Sequence, residues 1–274
     1  MKFLQLTDIH LTAPGQTIGG RDPNKNFAQA IEHAMKHHSD AEAMFITGDL
    51  SDWGETDDYK RLAEQLDKLP LPVHLCIGNH DDRPTFLKQF PDLEGDGGFV
   101  HSVVPLSIGH AILLDTWGPE SHAGFFCEDR AKWLSYQLTE LDGPIWIFMH
   151  HNPVPSHVKP MDEIMLLDSS RFGEIIRPFK DKISHILHGH CHLPLSGTFH
   201  GIPFFAPRGT NHAGWPNFAA ERLLSAADLT ESYAVIFADK NSTMIHMVEY
   251  GYKGNVRNEG SPEYADWDKI TMIR

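Results

Sequence analysis

The chain has 274 residues, 41% of them hydrophobic and 22% charged, a length and balance that can bury a sizeable core and that exclude a disordered or fibrous class. Its formal net charge of −14 argues against a nucleic-acid polymer as partner, since such binding relies on a positive surface that releases counterions. Three cysteines, Cys76, Cys127 and Cys191, without zinc-knuckle or thioredoxin spacing, point to a reducing compartment and no structural disulfide.

The N-terminal "MKFLQLTDIHLT" lacks the apolar stretch of a secretory signal and reads as a first strand, "KFLQLT". No run reaches the roughly 18 apolar residues that a membrane span requires, so a cytoplasmic protein is expected. Asp22 and Pro23 then open a helix whose apolar face carries Phe27, Ala30, Ile31, Ala34 and Met35. After the strand "AMFIT", Thr56 is expected to cap a helix with Tyr59, Leu62, Ala63, Leu66 and Leu69 inward and Asp57 and Asp58 at the positive end of its dipole. "VHLCI" is a third strand, and "FVHSVV" and "HAILLDT" form a neighbouring pair split by Pro105 and Gly109.

A helix over about 128 to 141 turns Ala131, Leu134, Leu138 and Leu141 inward, followed by the strand "IWIFM". Next come a helix with Phe172, Ile175, Ile176 and Phe179 on one face and the strand "ISHIL". "LSGTFHGIPFFA" and "YAVIFADKNSTMIHMVEY" read as hairpins turning at His200-Gly201 and Lys240-Asn241. Several strands are continuously apolar and so buried on both faces, which indicates a layered α/β sandwich. Residues 1–250 are expected to form one domain, with residues from about 155 to 170 as a small cap and 251–274 as a tail that contacts another subunit.

Ligands of layered α/β folds sit beyond the carboxyl ends of strands. After "KFLQLT" come Asp8, Ile9 and His10; after "AMFIT", Gly48 and Asp49; after "VHLCI", Gly78, Asn79, His80 and Asp81. After "IWIFM" come His150 and His151, and after "ISHIL" the run His188, Gly189, His190, Cys191, His192. Any one of 19 histidines is more often a surface residue than a ligand, and "GD" or "NH" alone is ordinary turn chemistry. Recurrence at five strand ends reverses that balance, because turns need only turn formers. Asp, His and Asn suit Zn, Mn, Fe or Co, and they outnumber what one tetrahedral zinc uses. A dinuclear centre is implied, its two ions held about 3.5–4 Å apart by a shared carboxylate and able to clamp a phosphoryl group.

The order Asp-x-His, Gly-Asp, Gly-Asn-His-Asp, His, Gly-His-x-His over residues 8 to 192 resembles that of the calcineurin-like metallophosphoesterases. "IFMHHNP" and "GNHDD" are similar to the bacterial class III cyclic nucleotide phosphodiesterases and glycerophosphodiesterases. The resemblance implies a four-layer α/β-β/α sandwich and two divalent or mixed-valence transition metal ions (Fe, Mn, Zn or Co). It implies one ion held by Asp8, His10, Asp49 and His192 and the other by Asp49, Asn79, His150 and His190, with Asp49 bridging. His80 is then the non-ligand catalytic histidine that touches the phosphate and protonates the leaving oxygen or stabilises its charge, and His212 faces the substrate. The implied reaction is hydrolysis of a small-molecule phosphodiester by a metal-bound hydroxide. A phosphomonoesterase or phospholipase C-type enzyme is the alternative, and a non-catalytic scaffold is disfavoured because the ligand set and His80 are all present. A homo-oligomer is expected.

In "HGHCH", His190 and His192, two positions apart, serve different ions; Gly189 permits the turn that aims them, and Cys191 points away. His151 and His188 are read as lying behind the ligands or at the surface. Asp81 either holds the His80 loop or is a turn residue. Arg83 and Arg208 are read as ion-pair partners rather than phosphate contacts, His33, His37 and His38 as solvated helix residues, and Cys76 and Cys127 as packed small hydrophobes.

Overall fold

The computed structural model describes residues 1–119 and 121–256. The N-terminal half alternates β1 (Lys2–Leu6), α1 (Pro23–His38), β2 (Ala43–Thr47), α2 (Thr56–Leu66), β3 (Val73–Cys76) and α3 (Arg83–Gln89). Then follow β4 (Ser102–Pro105), β5 (His110–Leu113), α4 (Glu128–Glu140), β6 (Ile145–Phe148), α5 (Lys159–Asp162), α6 (Ser169–Ile176) and β7 (Ile183–Leu187). The chain continues through β8 (Leu195–Phe199), β9 (Ile202–Ala206), β10 (Ala213–Trp215), β11 (Ser225–Ala227), β12 (Tyr233–Ala238) and β13 (Thr243–Val248).

Two large sheets result, in the orders β13-β12-β1-β2-β3 and β4-β5-β6-β7-β9-β8, and β10 and β11 pair as a separate two-stranded sheet. In the first, β1, β2 and β3 run parallel; in the second, so do β5, β6, β7 and β9. Alternation along each strand explains the continuous apolar runs. Phe3 and Phe45 point into the layer between the sheets with Trp146 and Phe148, whereas Leu4, Leu6, Met44 and Ile46 point outward under Phe27, Tyr59, Leu62 and Phe86 of α1, α2 and α3. On the far side, Ile112, Ile147 and Ile186 meet Leu134 and Leu138 of α4 and Phe172 and Ile176 of α6. The layers are therefore helix, sheet, sheet, helix. Phe45 and Phe148 stack at 4.0 Å across the inner layer, an apolar contact that fixes the two sheets' mutual position.

Local expectations fare unevenly. Asp22 caps α1 by accepting from Lys25 N–H at 3.1 Å. Thr56 does not cap α2: the cap position is Glu55, without a side-chain hydrogen bond, and Thr56 is the first helical residue. Asp57 and Asp58 do stand in the first turn, but Asp58 is buried, accepting from Ser51 Oγ at 2.6 Å and paired with Arg61. Pro178 ends α6, so Phe179 belongs to a 3-10 turn over Arg177–Phe179. Both hairpins turn where expected, at His200-Gly201, each with positive φ, and at Lys240-Asn241, where Asp239 accepts from the Asn241 and Ser242 N–H groups. The short α3 and the β10–β11 hairpin had no periodic signal. The proposed tail contact falls mostly on residues 257–274, outside the described residues.

Candidate metal centre

Asp8 and His10 follow β1, Asp49 follows β2, Asn79 and His80 follow β3, His150 follows β6, and His190 and His192 follow β7; the two sheets bring all eight to one rim. Seven non-glycine residues have positive φ among the described residues, and five of them are Asp8, His10, Asp49, His190 and His192. Non-glycine residues adopt that conformation rarely, although Asp and His tolerate it better than most, so an uncommon backbone geometry is concentrated at this rim. Two glycines make room for it. A Cβ at Gly78 would lie 2.2 Å from Asp49 Oδ1, and one at Gly189 would lie 1.9 Å from Thr7 Oγ1. Gly189 is thus required for close approach and not, as expected, for the turn: the left-handed residues there are His190 and His192.

Hydrogen bonds fix which ring nitrogens are free. His10 Nδ1 lies 2.9 Å from Asp52 Oδ1 and His192 Nδ1 lies 2.9 Å from the His212 carbonyl, so each Nδ1–H donates outward. Their Nε2 atoms then face each other at 3.2 Å, with Asp49 Oδ2 3.6 Å from His10 Nε2 and Asp8 Oδ1 3.4 Å from His192 Nε2. Two lone pairs and two carboxylates converging in this way fit a cation between them. His150 repeats the pattern: Nδ1–H donates to the Thr47 carbonyl at 2.8 Å, and Nε2 faces Asn79 Oδ1 at 3.0 Å and Asp49 Oδ1 at 3.3 Å. His190 Nδ1 lies 2.7 Å from the same Asn79 oxygen. Asp8 Oδ2 and His190 Nε2 are buried with no hydrogen-bond partner.

Charge balance agrees. Among the described residues, the basic partners of Asp8, Asp49 and Asp52 are all histidines. Burial opposes a charge on His150, yet Asp49 and Asp8 push it up to about 9; burial likewise opposes one on His10, and Asp52, Asp49 and Asp8 still raise it. Burial disfavours the Asp49 anion, but His150, His80 and His10 hold its carboxyl well below the usual range. Positive charge is favoured at both sets of donors. His190 and His192 are pushed down by burial and neighbouring histidines, which keeps their lone pairs available as ligands.

His80 stands beside this floor. Its backbone N–H donates to Asp49 Oδ1 at 2.9 Å and its Nδ1–H to the Asp52 carbonyl at 2.8 Å, which leaves Nε2 without a bond to either. The His212 ring packs 4.1 Å from His192 and 5.1 Å from His10. Asp81 accepts from the N–H groups of Leu50, Ser51 and Gly78 and from Tyr59 OH, so it ties the β2 and β3 loops together. Burial and the nearby Asp49 push its pKa up to about 6 against those donors.

Several other candidates sit elsewhere. Arg83 is paired bidentately with Asp115, at 2.7 and 2.9 Å, and Arg208 pairs with Glu249 at 3.0 Å. His151 is fully buried, with Nδ1 2.7 Å from Thr116 Oγ1 and Nε2 3.2 Å from the His122 carbonyl; both nitrogens are engaged. His188 is also buried, so neither is a surface residue. Cys191 turns away into a small cluster with Val158, Met161 and Leu193, which places the 155–170 segment over the β7 loop. Cys76 is buried and Cys127 half-buried. His33 is not simply solvated, since its Nδ1 lies 2.8 Å from Tyr233 OH. Asp52, which holds His10, and His122, whose Nδ1 accepts from Asn79 Nδ2 at 2.8 Å, are polar residues of the site that carry no expectation from the sequence. Asp52, three positions after Asp49, was within reach of the strand-end argument; His122, in a long loop, was not.

Residues 1–194 match the calcineurin-like phosphoesterase family, and the chain belongs to that family. It is 35% identical over 279 residues to a probable cyclic nucleotide phosphodiesterase of Rhodopseudomonas palustris, covering 100% of this chain and 99% of that protein. It is 24% identical over 222 residues to a glycerophosphodiester phosphodiesterase of Enterobacter lignolyticus, covering 74% and 80%. In fold it is similar to a purple acid phosphatase of yellow lupin, with a TM-score of 0.65 at 14% identity over 94% of this chain and 52% of that one.

Proposed function

We propose that the protein is a metal-dependent phosphodiesterase that hydrolyses a small phosphodiester of the cyclic nucleotide or glycerophosphodiester type at a dinuclear centre. The observation that carries this is Asp49, whose Oδ1 faces His150 Nε2 at 3.3 Å while its Oδ2 faces His10 Nε2 at 3.6 Å, one oxygen toward each donor set. Asp8, His10, Asp49 and His192 would hold one ion and Asp49, Asn79, His150 and His190 the other. When bound there, two such cations, Fe, Mn, Zn or Co, would supply Lewis acidity that lowers the pKa of a water and offsets phosphoryl charge.

The chain's own residues do the rest. Asp52 and Thr47 hold His10 and His150 in the tautomers that present Nε2 inward. His80, its Nδ1–H fixed on the Asp52 carbonyl, presents Nε2 to protonate the leaving alkoxide or offset its charge. His212 lines the cavity beside His10 and contacts substrate. Residues 1–250 are read as the catalytic unit of a cytoplasmic homo-oligomer. Supporting a reducing compartment, all three cysteines are free; supporting an unanchored enzyme, no described helix is long and apolar enough to cross a membrane.

The test is a substrate panel on metal-reconstituted protein: bis- and mono-p-nitrophenyl phosphate, 2′,3′- and 3′,5′-cyclic nucleotides and glycerophosphodiesters. A diester should be turned over fastest, with metal content measured in parallel. Faster turnover of the monoester than of every diester would replace this reading with a phosphomonoesterase.

A further inference from the structure

The floor of the site is polar, but the cavity above it is not. It encloses about 430 Å³, a volume suited to a small organic ligand. Among the described residues no Lys, Arg or Glu lines it, and Ser225 is its sole hydroxyl. Apart from Ser225 and the histidines, carboxylates and Asn79 carboxamide, its lining is Trp53, Val158, Met161, Ile164, Trp215 and Leu224 among other apolar residues. A polyol, or a head group with an additional charge, would find few partners here and would leave hydroxyls unpaired.

Trp53 is the unusual member. It is 72% exposed although it is a large aromatic, and its ring centroid lies 6.1 Å from that of His80. It is also held in place. Its backbone N–H donates to Ser51 Oγ at 3.3 Å, the preceding carbonyl of Asp52 is occupied by His80, and Gly54 after it packs so tightly that a Cβ would lie 2.6 Å from Asp82 Cβ. An indole on a fixed backbone offers a flat apolar face at low cost in conformational entropy. Trp215 and Leu224, at 52% and 50% exposure, belong to the 213–227 hairpin that begins next to His212, so the apolar surface continues on that side of His10.

We propose that Trp53, with Trp215 and Leu224, is a stacking platform that makes this site select phosphodiesters carrying a planar ring over those carrying a polyol. This rests on the phosphodiesterase reading above. Trp53 acts on the part of the substrate that does not react, so its contribution lies in KM and in the ratio between substrates. Stacking of a base on an aromatic residue is lost on alanine substitution with a penalty of about ten- to a hundredfold.

The experiment compares wild type, W53A and W53F on 3′,5′-cyclic AMP and on glycerophosphoethanolamine, with metal content and oligomeric state measured for each. W53A should lower kcat/KM for the cyclic nucleotide by about ten- to a hundredfold, mainly through KM, and shrink the ring-to-polyol ratio by roughly tenfold or more. W53F should restore most of that ratio. Wild-type preference for the polyol diester, equal losses on both substrates, or an altered oligomeric state in W53A would overturn the platform, the last by making Trp53 a subunit contact. Wild type that turns over no diester at all would instead sink the phosphodiesterase reading, and that result is obtained before any variant is made.

Discussion

The floor and the wall of the cavity are built by different rules. The floor stands at the ends of five parallel strands, with five of its residues in positive-φ conformations and the Nδ1 atoms of His10, His80, His150 and His192 each held by a hydrogen bond. The wall comes from a loop after β2, a segment over 158–164 and a late hairpin, and it is apolar and partly exposed. Chemistry needs atoms fixed to a fraction of an ångström, which strand ends supply; selection needs a surface of the right shape, which loops supply.

That contrast can be broken most directly at Asp49. D49A removes the carboxylate that faces both donor sets, so both metals should be lost and turnover should fall below detection; metal analysis showing a full centre would refute the bridging role. H80A should lower kcat by about 10²–10⁴ while metal content is retained. Metal loss in H80A would instead make His80 a ligand. D52A removes the acceptor that orients His10, and metal affinity should drop by about 10–100-fold, measured by chelator competition.

The scaffold beneath should respond differently. F45A empties part of the layer between the sheets, where Phe45 stacks on Phe148, and should destabilise the fold by about 3–5 kcal/mol in chemical denaturation without changing which substrate is preferred. The smallest effect is expected at His101, stacked on Trp133 at 3.9 Å. Burial lowers its pKa from 6.5 to about 4, with Asp115 opposing. The unfolded chain therefore binds this proton first, so the stability contributed by neutral His101 is complete above about pH 6.5 and is lost as pH falls toward 4. H101F should lose less Tm than wild type between pH 7.5 and 5. Equal losses would show that His101 does not govern this acid sensitivity.

How much was legible follows from where the information lies. Alternating strand and helix periods over residues 2–187 depend on neighbours within one turn or one pleat, and the structure has them nearly as read. The cap of α2 was misplaced by one residue, because Glu55 and Thr56 both suit a helix start and tertiary packing around Ser51 and Asp58 decided between them. His151 and His188 could be set aside as ligands from strand alternation, but not placed in the interior, since burial depends on Thr116 and Phe204, which are distant in sequence. The β10–β11 hairpin is three residues a side and spans a loop of mixed composition, too short for a period to register.

The sequence by itself determined the layered α/β class and which candidate donors follow each strand, because strand ends are local and the residue types after each are readable one at a time. Tertiary structure alone decided that Asp49 turns one oxygen to each donor set, that Asp52 and Thr47 fix the tautomers of His10 and His150, and that Trp53 stands beside His80. Those facts depend on angles and distances between segments up to 182 residues apart, as between His10 and His192, and only packing of one sheet on the other sets them.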